Sequence, residues 1–355
     1  MDYPTALTLF RHTQPTMATA GIEELEWIWM NGEFVPWHDA KVHVLSHALH
    51  YGTGVFEGIR CYDGEQGPAV FRHREHLERL ERSAELYYMK IPFSVDEMAE
   101  ATRELIRRNG LRSCYIRPLV FRGYGEMGLY AAHSEVDVTI AVWPWGAYLG
   151  EEGKKVGIEA KVSSWRRISP FSLIPQAKAS GQYLNSILAK TEAANSGYDE
   201  AILLDERGMV CEGSGENIFV VREGEIATPP AVASILDGIS RRSVIRIAED
   251  LGYEVNVRDI ARGELYQADE VFLTGTAAEM VPVRSIDRHD LGEPGEITRA
   301  LQERFEAALY GRAPEYAEWL DLVGEPTAPA PPEPRPDQVQ AEEIGEIKPR
   351  IVDTQ

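Results

Sequence analysis

Apolar residues recur at the spacing of an amphipathic helix in four stretches of the chain, where every third or fourth residue is apolar. Gly110 and Gly252 end two of these stretches, as glycine often does at a helix C-terminus. The predicted helices cover residues 72–90, residues 95–109, the stretch with Leu184, Ile187 and Leu188, and the stretch with Val244, Ile247, Ala248 and Leu251.

Strands are predicted where apolar residues alternate with polar ones or form short runs between turn residues. Asn31 and Gly32 stand in the middle of the stretch Trp27 to Val35, which is the strongest short-range signal for a β-hairpin. Further strands are predicted over residues 136–145, 201–205, 209–211, 217–221, 225–228 and 271–274.

Two strands are each predicted to place an aromatic residue and an arginine on one face. Alternation puts Phe56, Gly58 and Arg60 on one face of the first strand, because successive side chains point to opposite faces. In the second strand, Tyr115 and Arg117 share a face. The proline that follows, at 118, favours an edge position in the sheet because it has no N–H to donate.

The order of these elements predicts an α+β protein with two α/β domains, which a chain of 355 residues is long enough to form. The residues after Val323 are rich in proline and acids and cannot form a core. The predicted organisation is a flexible arm over 1–22, a small domain over 23–145, a Gly- and Glu-rich linker over 146–155, a larger domain over 156–322 and a disordered tail over 323–355.

Composition narrows the classes of function. The net charge of −21 argues against a nucleic-acid partner, because phosphate backbones attract clustered Lys and Arg. No apolar run is long enough for a membrane span, and the first residues lack the basic and apolar regions of a secretory signal. The three cysteines form no CxxC pair, which agrees with a reducing compartment. We therefore expect a cytoplasmic protein.

Two further patterns suggest metal or nucleotide binding but fail on spacing. His43, His47 and His50 lie at helical spacing, yet no carboxylate or cysteine joins them at ligand spacing, so we expect structural histidines and no metal. The stretch His73–His76 is not the HExxH order of a zinc protease. Gly52–Gly58 reads GxGxxxG and not the GxGxxG of a dinucleotide loop.

One lysine stands in an unusual setting. Lys178 lies among small residues in the stretch Ile174–Tyr183, just ahead of a helical pattern, although a lysine in a polar loop is usually a solvated charge. Downstream come Glu212–Phe219, Ile226–Thr228 and Leu236–Arg241. This ordered series resembles the signature of the class IV pyridoxal-phosphate aminotransferases, with Lys178 in the place of their Schiff-base lysine.

The resemblance extends over roughly residues 25 to 320, and within the class the chain most resembles the branched-chain amino-acid aminotransferases. It implies the fold of fold-type-IV pyridoxal-phosphate enzymes, with a smaller N-terminal domain, a larger C-terminal domain and the cofactor at their interface. The outer matching stretches are His47–Gly52, Phe56–Arg60, Tyr115–Pro118 and Gly275–Glu279.

Pyridoxal 5′-phosphate is the cofactor that the resemblance implies. Lys178 would be the catalytic residue, which forms the Schiff base and then moves the proton at the substrate Cα. Glu212 would pair with the pyridine nitrogen, because an ionised carboxylate keeps the ring cationic and a better electron sink. The phosphate would lie at a helix N-terminus. The other implied cofactor contacts are Arg79, Tyr183, Leu236, Gly238, Ile239, Ser240, Gly275 and Thr276.

The resemblance also implies a substrate pocket that accepts aliphatic and acidic side chains. Aromatic walls can serve both, and Arg117 would meet the γ-carboxylate of glutamate. Tyr51 and Leu129 would complete the site of a neighbouring subunit, which implies at least a homodimer. The implied substrate contacts are Tyr51, Phe56, Gly58, Arg60, Tyr115, Arg117, Leu129, Tyr148, Thr276, Ala277 and Ala278.

The resulting hypothesis is reversible transfer of an amino group between L-leucine, L-isoleucine or L-valine and 2-oxoglutarate. The alternatives on the same scaffold are a D-amino-acid transaminase, an (R)-amine transaminase and an aminodeoxychorismate lyase, which would share Lys178 and Glu212. A binding or scaffold protein without activity is a further alternative. Its expected sign would be the loss of Lys178 or Glu212, and both residues are present.

Overall fold

The computed structural model describes residues 22–145 and 149–325, so most of the predicted arm and tail and the first three residues of the predicted linker lie outside it. No helix within these two ranges is both long and apolar enough to cross a membrane. In chain order the strands are β1 (Trp27–Met30), β2 (Glu33–Pro36), β3 (Gly54–Phe56), β4 (Ile59–Gly64), β5 (Gly67–Phe71), β6 (Cys114–Arg122), β7 (Val136–Trp143), β8 (Ile158–Arg166), β9 (Glu200–Leu204), β10 (Val210–Gly213), β11 (Asn217–Arg222), β12 (Glu225–Thr228), β13 (Val255–Val257), β14 (Glu270–Gly275), β15 (Glu279–Ile286), β16 (His289–Asp290) and β17 (Leu320–Leu322). The helices are α1 (His47–Tyr51), α2 (His73–Leu86), α3 (Val95–Arg108), α4 (Gly150–Val156), α5 (Tyr183–Asn195), α6 (Ile239–Asp250), α7 (Arg262–Leu265) and α8 (Glu296–Leu309).

The first sheet is antiparallel, with the strand order β17-β5-β4-β6-β7-β1-β2 and with β3 paired to β6. Its inner face packs against α2 and α3. Ile59, Ile116 and Ile140 from the strands and Leu77 and Leu105 from the helices are fully buried in one cluster. Burial of a side chain of this size stabilises the fold by about 1.5–3 kcal/mol, so this core holds the first half together.

The second sheet is mixed, with the order β10-β9-β8-β15-β14-β11-β12-β13. Strand β8 is parallel to both β9 and β15. An additional pairing of β10 with β11, at Glu212 and Asn217, closes six strands into a ring. The ring encloses a cluster that includes the fully buried Ile202, Ile218 and Leu273. The closure therefore fixes the position of Glu212.

The C-terminal strand returns to the first sheet. Leu320 of β17 pairs with Phe71 of β5, and the Asp321 carboxylate lies 2.7 Å from Nδ1 of the buried His73. Residues 320–322, which the predicted boundary places at the end of the second domain, thus complete an edge of the first sheet. The two halves are linked at this edge as well as through α4.

The predicted hairpin and the predicted helices are confirmed. In the hairpin, Ile28 pairs with Val35, and both turn residues, Asn31 and Gly32, have positive φ angles of 51° and 96°. Such angles match a type I′ turn, in which glycine and asparagine carry no large steric penalty. The four helical stretches correspond to α2, α3, α5 and α6.

The alternation predicted around Gly58 is confirmed, but the edge position predicted for Pro118 is wrong. Phe56 pairs with Leu119, and Ile59 pairs with Ile116. Strands β3 and β4 therefore pair with β6 in the same register. Strand β6 lies inside the sheet, between β4 and β7. The Pro118 carbonyl accepts a hydrogen bond from the Glu57 N–H at 2.9 Å, but the proline has no N–H to donate in exchange. The sheet tolerates the proline because the ladder is interrupted there, between β3 and β4.

The apolar stripe of α5 faces outward. Leu184, Ile187 and Leu188 are 68%, 58% and 45% exposed, whereas the residues that α5 buries are small, such as Ala189 and Ala193. A stripe of this kind is ordinarily buried, so an exposed one marks a contact surface.

The structural histidines expected near α1 are found. His47 is buried, with Nδ1 2.7 Å from the Thr53 hydroxyl and Nε2 2.9 Å from the Gly128 carbonyl. Both ring nitrogens therefore have partners within the protein.

Candidate active site

Lys178 is held between the two halves by its backbone. Its N–H donates to Ser83 Oγ of α2 at 3.2 Å, and its carbonyl accepts from the Phe56 N–H of β3 at 3.0 Å. The amine Nζ donates to the Tyr183 hydroxyl at 2.9 Å and lies 5.2 Å from the centroid of the Phe56 ring. The first half thus positions the lysine, and Tyr183 from the second half sets the direction of its amine.

The amine opens into a cleft that residues of both halves line. Clefts between domains are common sites for small cofactors. The structure brings every residue predicted to contact the cofactor into its lining, which includes Arg79, Lys178, Tyr183, Glu212, Leu236, Gly238, Ile239, Ser240, Gly275 and Thr276.

Glu212 forms one end of the cleft and is only 6% exposed. Its Oε1 lies 2.7 Å from the Arg167 Nε, and its Oε2 accepts from the Leu236 N–H at 3.0 Å and from the Asn217 side-chain amide at 3.3 Å. Burial raises the pKa of the Glu212 carboxyl, while Arg167 and these hydrogen bonds oppose that rise. The carboxylate is therefore oriented by three partners and faces the cleft as an acceptor.

At the opposite end, Arg79 of α2 is held by a buried carboxylate. Its Nε and Nη2 donate to Glu57 at 2.7 and 2.9 Å, and its Nη1 donates to the Asp237 carbonyl at 3.0 Å. Burial would raise the pKa of Glu57, but Arg79 and His76 hold it well below its usual range. The guanidinium is thus pinned by a bidentate pair, the strongest geometry available to arginine.

His76 of α2 also contacts the Glu57 carboxylate. Burial lowers the pKa of its imidazole, although Glu57 opposes the change, so the ring is neutral. Its Nδ1 donates to Glu57 Oε2 at 2.8 Å, because a carboxylate can only accept. Glu57, which is fully buried, is therefore satisfied by two residues of α2 and keeps Arg79 in place.

The N-terminus of α6 meets Arg79 at this end. Within the described residues no side chain caps the helix, whose N-cap is Gly238. A Cβ at Gly238 would lie 2.0 Å from the Asn217 side-chain oxygen, so only glycine fits this close approach. Uncapped N–H groups and the positive end of the helix dipole favour an anion. Ser240 and Thr276 line the same end of the cleft.

The donors of the cleft fit a flat cationic ring that carries a phosphate. The cleft is lined by the ionisable acid Glu212, by Arg79 and by the open first turn of α6. Lys178 lines the same cleft, and its amine can form a covalent bond with an aldehyde. This combination is what pyridoxal 5′-phosphate requires of a protein.

A second cation, Arg117, lies beside Phe56, whose ring centroid is 5.2 Å from the Lys178 amine. The Arg117 guanidinium lies 4.8 Å from the Phe56 ring centroid, and its Nη2 donates to the Tyr115 hydroxyl at 3.4 Å. Gly58 makes room for that hydroxyl, since a Cβ there would lie 2.0 Å from it. Arg117 forms no ion pair with any acidic residue that the structure describes, so its charge is available to a ligand.

Arg60, predicted on the same face, is already paired. Its Nη1 donates to Glu279 Oε1 at 2.7 Å, and Lys154 of α4 donates to Glu279 Oε2 at 2.6 Å. Thr276 lies in the turn that Glu279 closes, where the Glu279 carbonyl accepts from the Thr274 hydroxyl at 2.8 Å. Through this pair, Arg60 of the first sheet holds the turn in place. Of the two arginines, Arg117 is the one available to a substrate carboxylate.

Of the predicted substrate contacts, Thr276 lines this cleft, and the others that the structure describes are not brought into its lining. Leu129 is 91% exposed and Tyr51 is 45% exposed, and neither lines it. The side chain of Ala278 is buried in the core of the ring, next to the predicted contact Ala277. Tyr148 lies outside the described residues.

Several residues that shape the site were not predicted from the sequence. Arg167 and Asn217 orient Glu212, and Glu57 and His76 orient Arg79. Glu57 could have been suspected, because alternation places its carboxylate on the apolar face with Val55 and Ile59. No local pattern points to Arg167, because its partner Glu212 is distant in the sequence.

Comparisons with known proteins agree with this arrangement. Residues 54–286 match the family model described as amino-transferase class IV. The chain is 50% identical over 306 residues to the branched-chain-amino-acid aminotransferase of Escherichia coli (strain K12), a match that covers 85% of this chain and 99% of that protein. It is 51% identical over 304 residues to the enzyme of the same name from Salmonella typhimurium, with 85% of this chain and 98% of that protein covered.

A similarity to solved structures covers the same part of the chain. A solved branched-chain amino acid aminotransferase that contains pyridoxamine 5′-phosphate superposes with a TM-score of 0.82 at 51% identity, covering 85% of this chain and 99% of that one.

Proposed function

We infer the roles of individual residues from the premise that this chain belongs to the amino-transferase class IV family. It catalyses the pyridoxal-phosphate-dependent transfer of an amino group between branched-chain L-amino acids and 2-oxoglutarate. The observation that carries the residue assignment is that Lys178, Glu212, Arg79 and the first turn of α6 line one cleft.

Lys178 would hold the cofactor through a covalent bond to its aldehyde, and its amine, when free, would remove and return the proton at the substrate Cα. When bound, pyridoxal phosphate accepts the electrons that the broken Cα–H bond leaves behind and stores the amino group. The Tyr183 hydroxyl, 2.9 Å from Nζ, keeps the amine directed into the cleft. A positioned base of this kind accelerates proton transfer by about 10²–10⁴-fold.

Residues that line the cleft would orient the cofactor. Arg79, the first turn of α6 and Ser240 would hold its phosphate, and Glu212 would accept the N–H of its ring. Arg167 and the Leu236 N–H hold the Glu212 carboxylate in one position, so this acceptor is in place before the cofactor binds. This preorganisation removes the need to reorient charges during the reaction.

Arg117 selects the acidic substrate. Its guanidinium lies against Phe56 and Tyr115, so an aliphatic side chain packs on the aromatic faces and the glutamate γ-carboxylate meets the cation. The α-carboxylate common to all substrates is held by the Tyr115 hydroxyl and by the backbone of Thr276 and Ala277. One pocket thereby accepts both classes of side chain.

Replacing Arg117 with leucine is expected to lower kcat/KM for L-glutamate by roughly 10²-fold and that for L-leucine by less than about tenfold, because only glutamate loses a charge partner. Half-reactions with each amino acid, followed by the visible spectrum of the cofactor, measure both values. D-alanine serves as the substrate that should not react with either protein.

The matched control for this substitution is Arg246→Leu, which removes an arginine that is largely exposed on α6. It should leave both substrates unaffected. An equal loss of activity on L-glutamate and L-leucine in the Arg117 variant would refute the assignment of the γ-carboxylate to Arg117.

The enzyme works as a homo-oligomer, at least a dimer, whose contact surface includes α1 and α5. Leu49 of α1 is 62% exposed, and Leu184 at the start of α5 is 68% exposed. The two helices lie close together, because a Cβ at Gly52 would come within 2.9 Å of the Gly181 Cα. Tyr51 and Leu129, which are turned away from the cleft of their own chain, are then available to the neighbouring subunit.

Replacing Leu184 with glutamate is expected to yield monomers that have lost most of their activity, since a buried charge opposes association. Size-exclusion chromatography with light scattering gives the mass, and Val257→Glu, a substitution of a half-exposed residue on β13, is the control. A wild-type protein that is active as a monomer would rule out this surface as an obligatory contact.

The cytoplasm is the proposed location. All three cysteines are buried and unpaired, as expected for a protein of a reducing compartment. Recovery of the enzyme from an exported fraction of cells would contradict this proposal.

A further inference from the structure

A further buried carboxylate lies in the wall of the cleft beside Glu212. Glu216 stands in the turn between β10 and β11, is only 5% exposed, and lines the cleft together with Lys178. Its side chain folds back over Gly213, where a Cβ would come within 2.8 Å of the Glu216 Oε2. The Gly215 N–H donates to the same oxygen at 3.1 Å. Glu216 is thus packed into the wall and does not reach solvent.

The cations of this wall are paired with other carboxylates. Arg167 lies 2.7 Å from Glu212, and Lys190 of α5 lies 2.6 Å from the fully buried Glu200 of β9. Glu216 forms no ion pair with any residue that the structure describes. Three buried carboxylates therefore share two paired cations, and a buried carboxylate without a cation retains its proton.

The charges that face Glu216 come from every element around it. They are the Glu200 carboxylate on β9, the Glu212 carboxylate on β10 and the Lys190 ammonium on α5. Burial first and the nearby Glu200 second raise the pKa of Glu216 to about 8, against the weaker opposing effects of Lys190 and the Gly215 N–H. The neutral form is thus the one that the surroundings favour.

We propose that Glu216 is a positioning residue that keeps its proton at neutral pH and thereby limits the negative charge beside the cofactor ring to the single carboxylate of Glu212. This inference rests on the proposed role of Glu212. Ionisation of Glu216 would add a second negative charge to the same wall, beside the Glu212 carboxylate. Because this charge would change the electrostatic field at the cofactor ring, the visible absorption of the bound cofactor should change as Glu216 loses its proton.

The first test is thermal unfolding of the full-length protein from pH 5 to pH 9, without added cofactor, for the wild type and Glu216→Gln. The folded state holds a proton that the unfolded chain releases near pH 4.5. Its contribution to stability is therefore complete below pH 4.5 and is lost as the pH rises through about 8. Glutamine cannot ionise, so the variant should match the wild type at pH 5 and unfold several degrees higher at pH 8.5.

Glu192→Gln is the matched control on α5. The Glu192 carboxyl is more exposed to water, and its hydrogen bonds with Ser163 and Ser164 and its pairing with Lys161 outweigh the effect of burial and lower its pKa to about 2. It stays ionised over the whole range, so its replacement should shift the unfolding temperature equally at every pH. An identical pH dependence for the wild type and Glu216→Gln would overturn the proposal.

The second test follows the visible absorption of the bound cofactor in the holoenzyme as the pH rises. In the wild type, one component of the alkaline transition should titrate near pH 8. This component should be absent in Glu216→Gln. In Glu200→Gln the carboxylate that raises the pKa of Glu216 is removed, so the transition should move to lower pH. This variant keeps the proposal testable if Glu216→Gln does not fold. Unchanged transitions in both variants would refute it. A protein that binds no cofactor would contradict the proposed function, while the unfolding series would still report on Glu216.

Discussion

Replacing Lys178 with alanine is expected to reduce transamination by at least about 10⁴-fold, because the variant loses both the covalent link to the cofactor and the base that moves the Cα proton. The fold should be retained, since the Lys178 backbone makes the contacts with Ser83 and Phe56 that position this loop. Half-reactions with L-leucine, followed at the absorption bands of the cofactor, measure the loss.

Reduction with borohydride followed by peptide mass spectrometry identifies the lysine directly. The cofactor should be fixed to the peptide with Lys178 in the wild type and to no peptide in the variant. Lys155→Ala, which removes an exposed lysine of α4, is the control and should behave as the wild type. Labelling of a different lysine, or a Lys178 variant within tenfold of the wild-type rate, would disprove the assignment.

The sequence was sufficient to predict the residues that lie in continuous stretches. Every predicted cofactor contact lies in one cleft, although Arg79 and Thr276 are far apart in the chain. This succeeded because the stretches from Glu212 to Arg241 resemble the signature of a known family, and the resemblance implies which residues contact the cofactor. The chemical roles of these residues remain predictions until they are tested by substitution.

The residues that the sequence did not reveal act through partners on other elements. Glu57 is an ordinary strand residue until α2 brings Arg79 and His76 against it. Arg60 has the same charge as Arg117, and only the fold shows that Glu279 neutralises one and leaves the other open. Local patterns report periodicity and turn chemistry, whereas an ion pair between sheets depends on topology that no local pattern encodes.

Two elements show how tertiary context overrides a local rule. Pro118 stands in the interior of the first sheet, because β3 and β4 are separated at the one position where the missing proline N–H would leave a partner carbonyl without a donor. The apolar stripe of α5 faces outward, because small residues on its other face let the helix pack closely on β8 and β9. The proposed contact between copies of the chain would cover the apolar stripe of α5 and so explain why it faces outward.

Replacing Glu212 with glutamine is expected to lower kcat by about 10²–10³-fold, the effect of removing one preorganised electrostatic partner from an active site. It should also destabilise the protein, because Arg167 would be left as a buried cation without a carboxylate. Breaking a buried pair in this way costs about 3–5 kcal/mol. Kinetics of the L-leucine half-reaction and thermal unfolding measure the two effects separately.

The double variant Glu212→Gln with Arg167→Met separates catalysis from stability. Removing the unpaired guanidinium should restore most of the unfolding temperature, since an apolar side chain of similar length can fill the space without a desolvation penalty. Activity should stay as low as in the single variant, because the ring nitrogen would still face a neutral amide. If the double variant regained activity along with stability, the carboxylate would serve only to neutralise Arg167. If stability alone returned, Glu212 would act on the cofactor ring itself, which is the role that its position at the closure of the ring of strands supports.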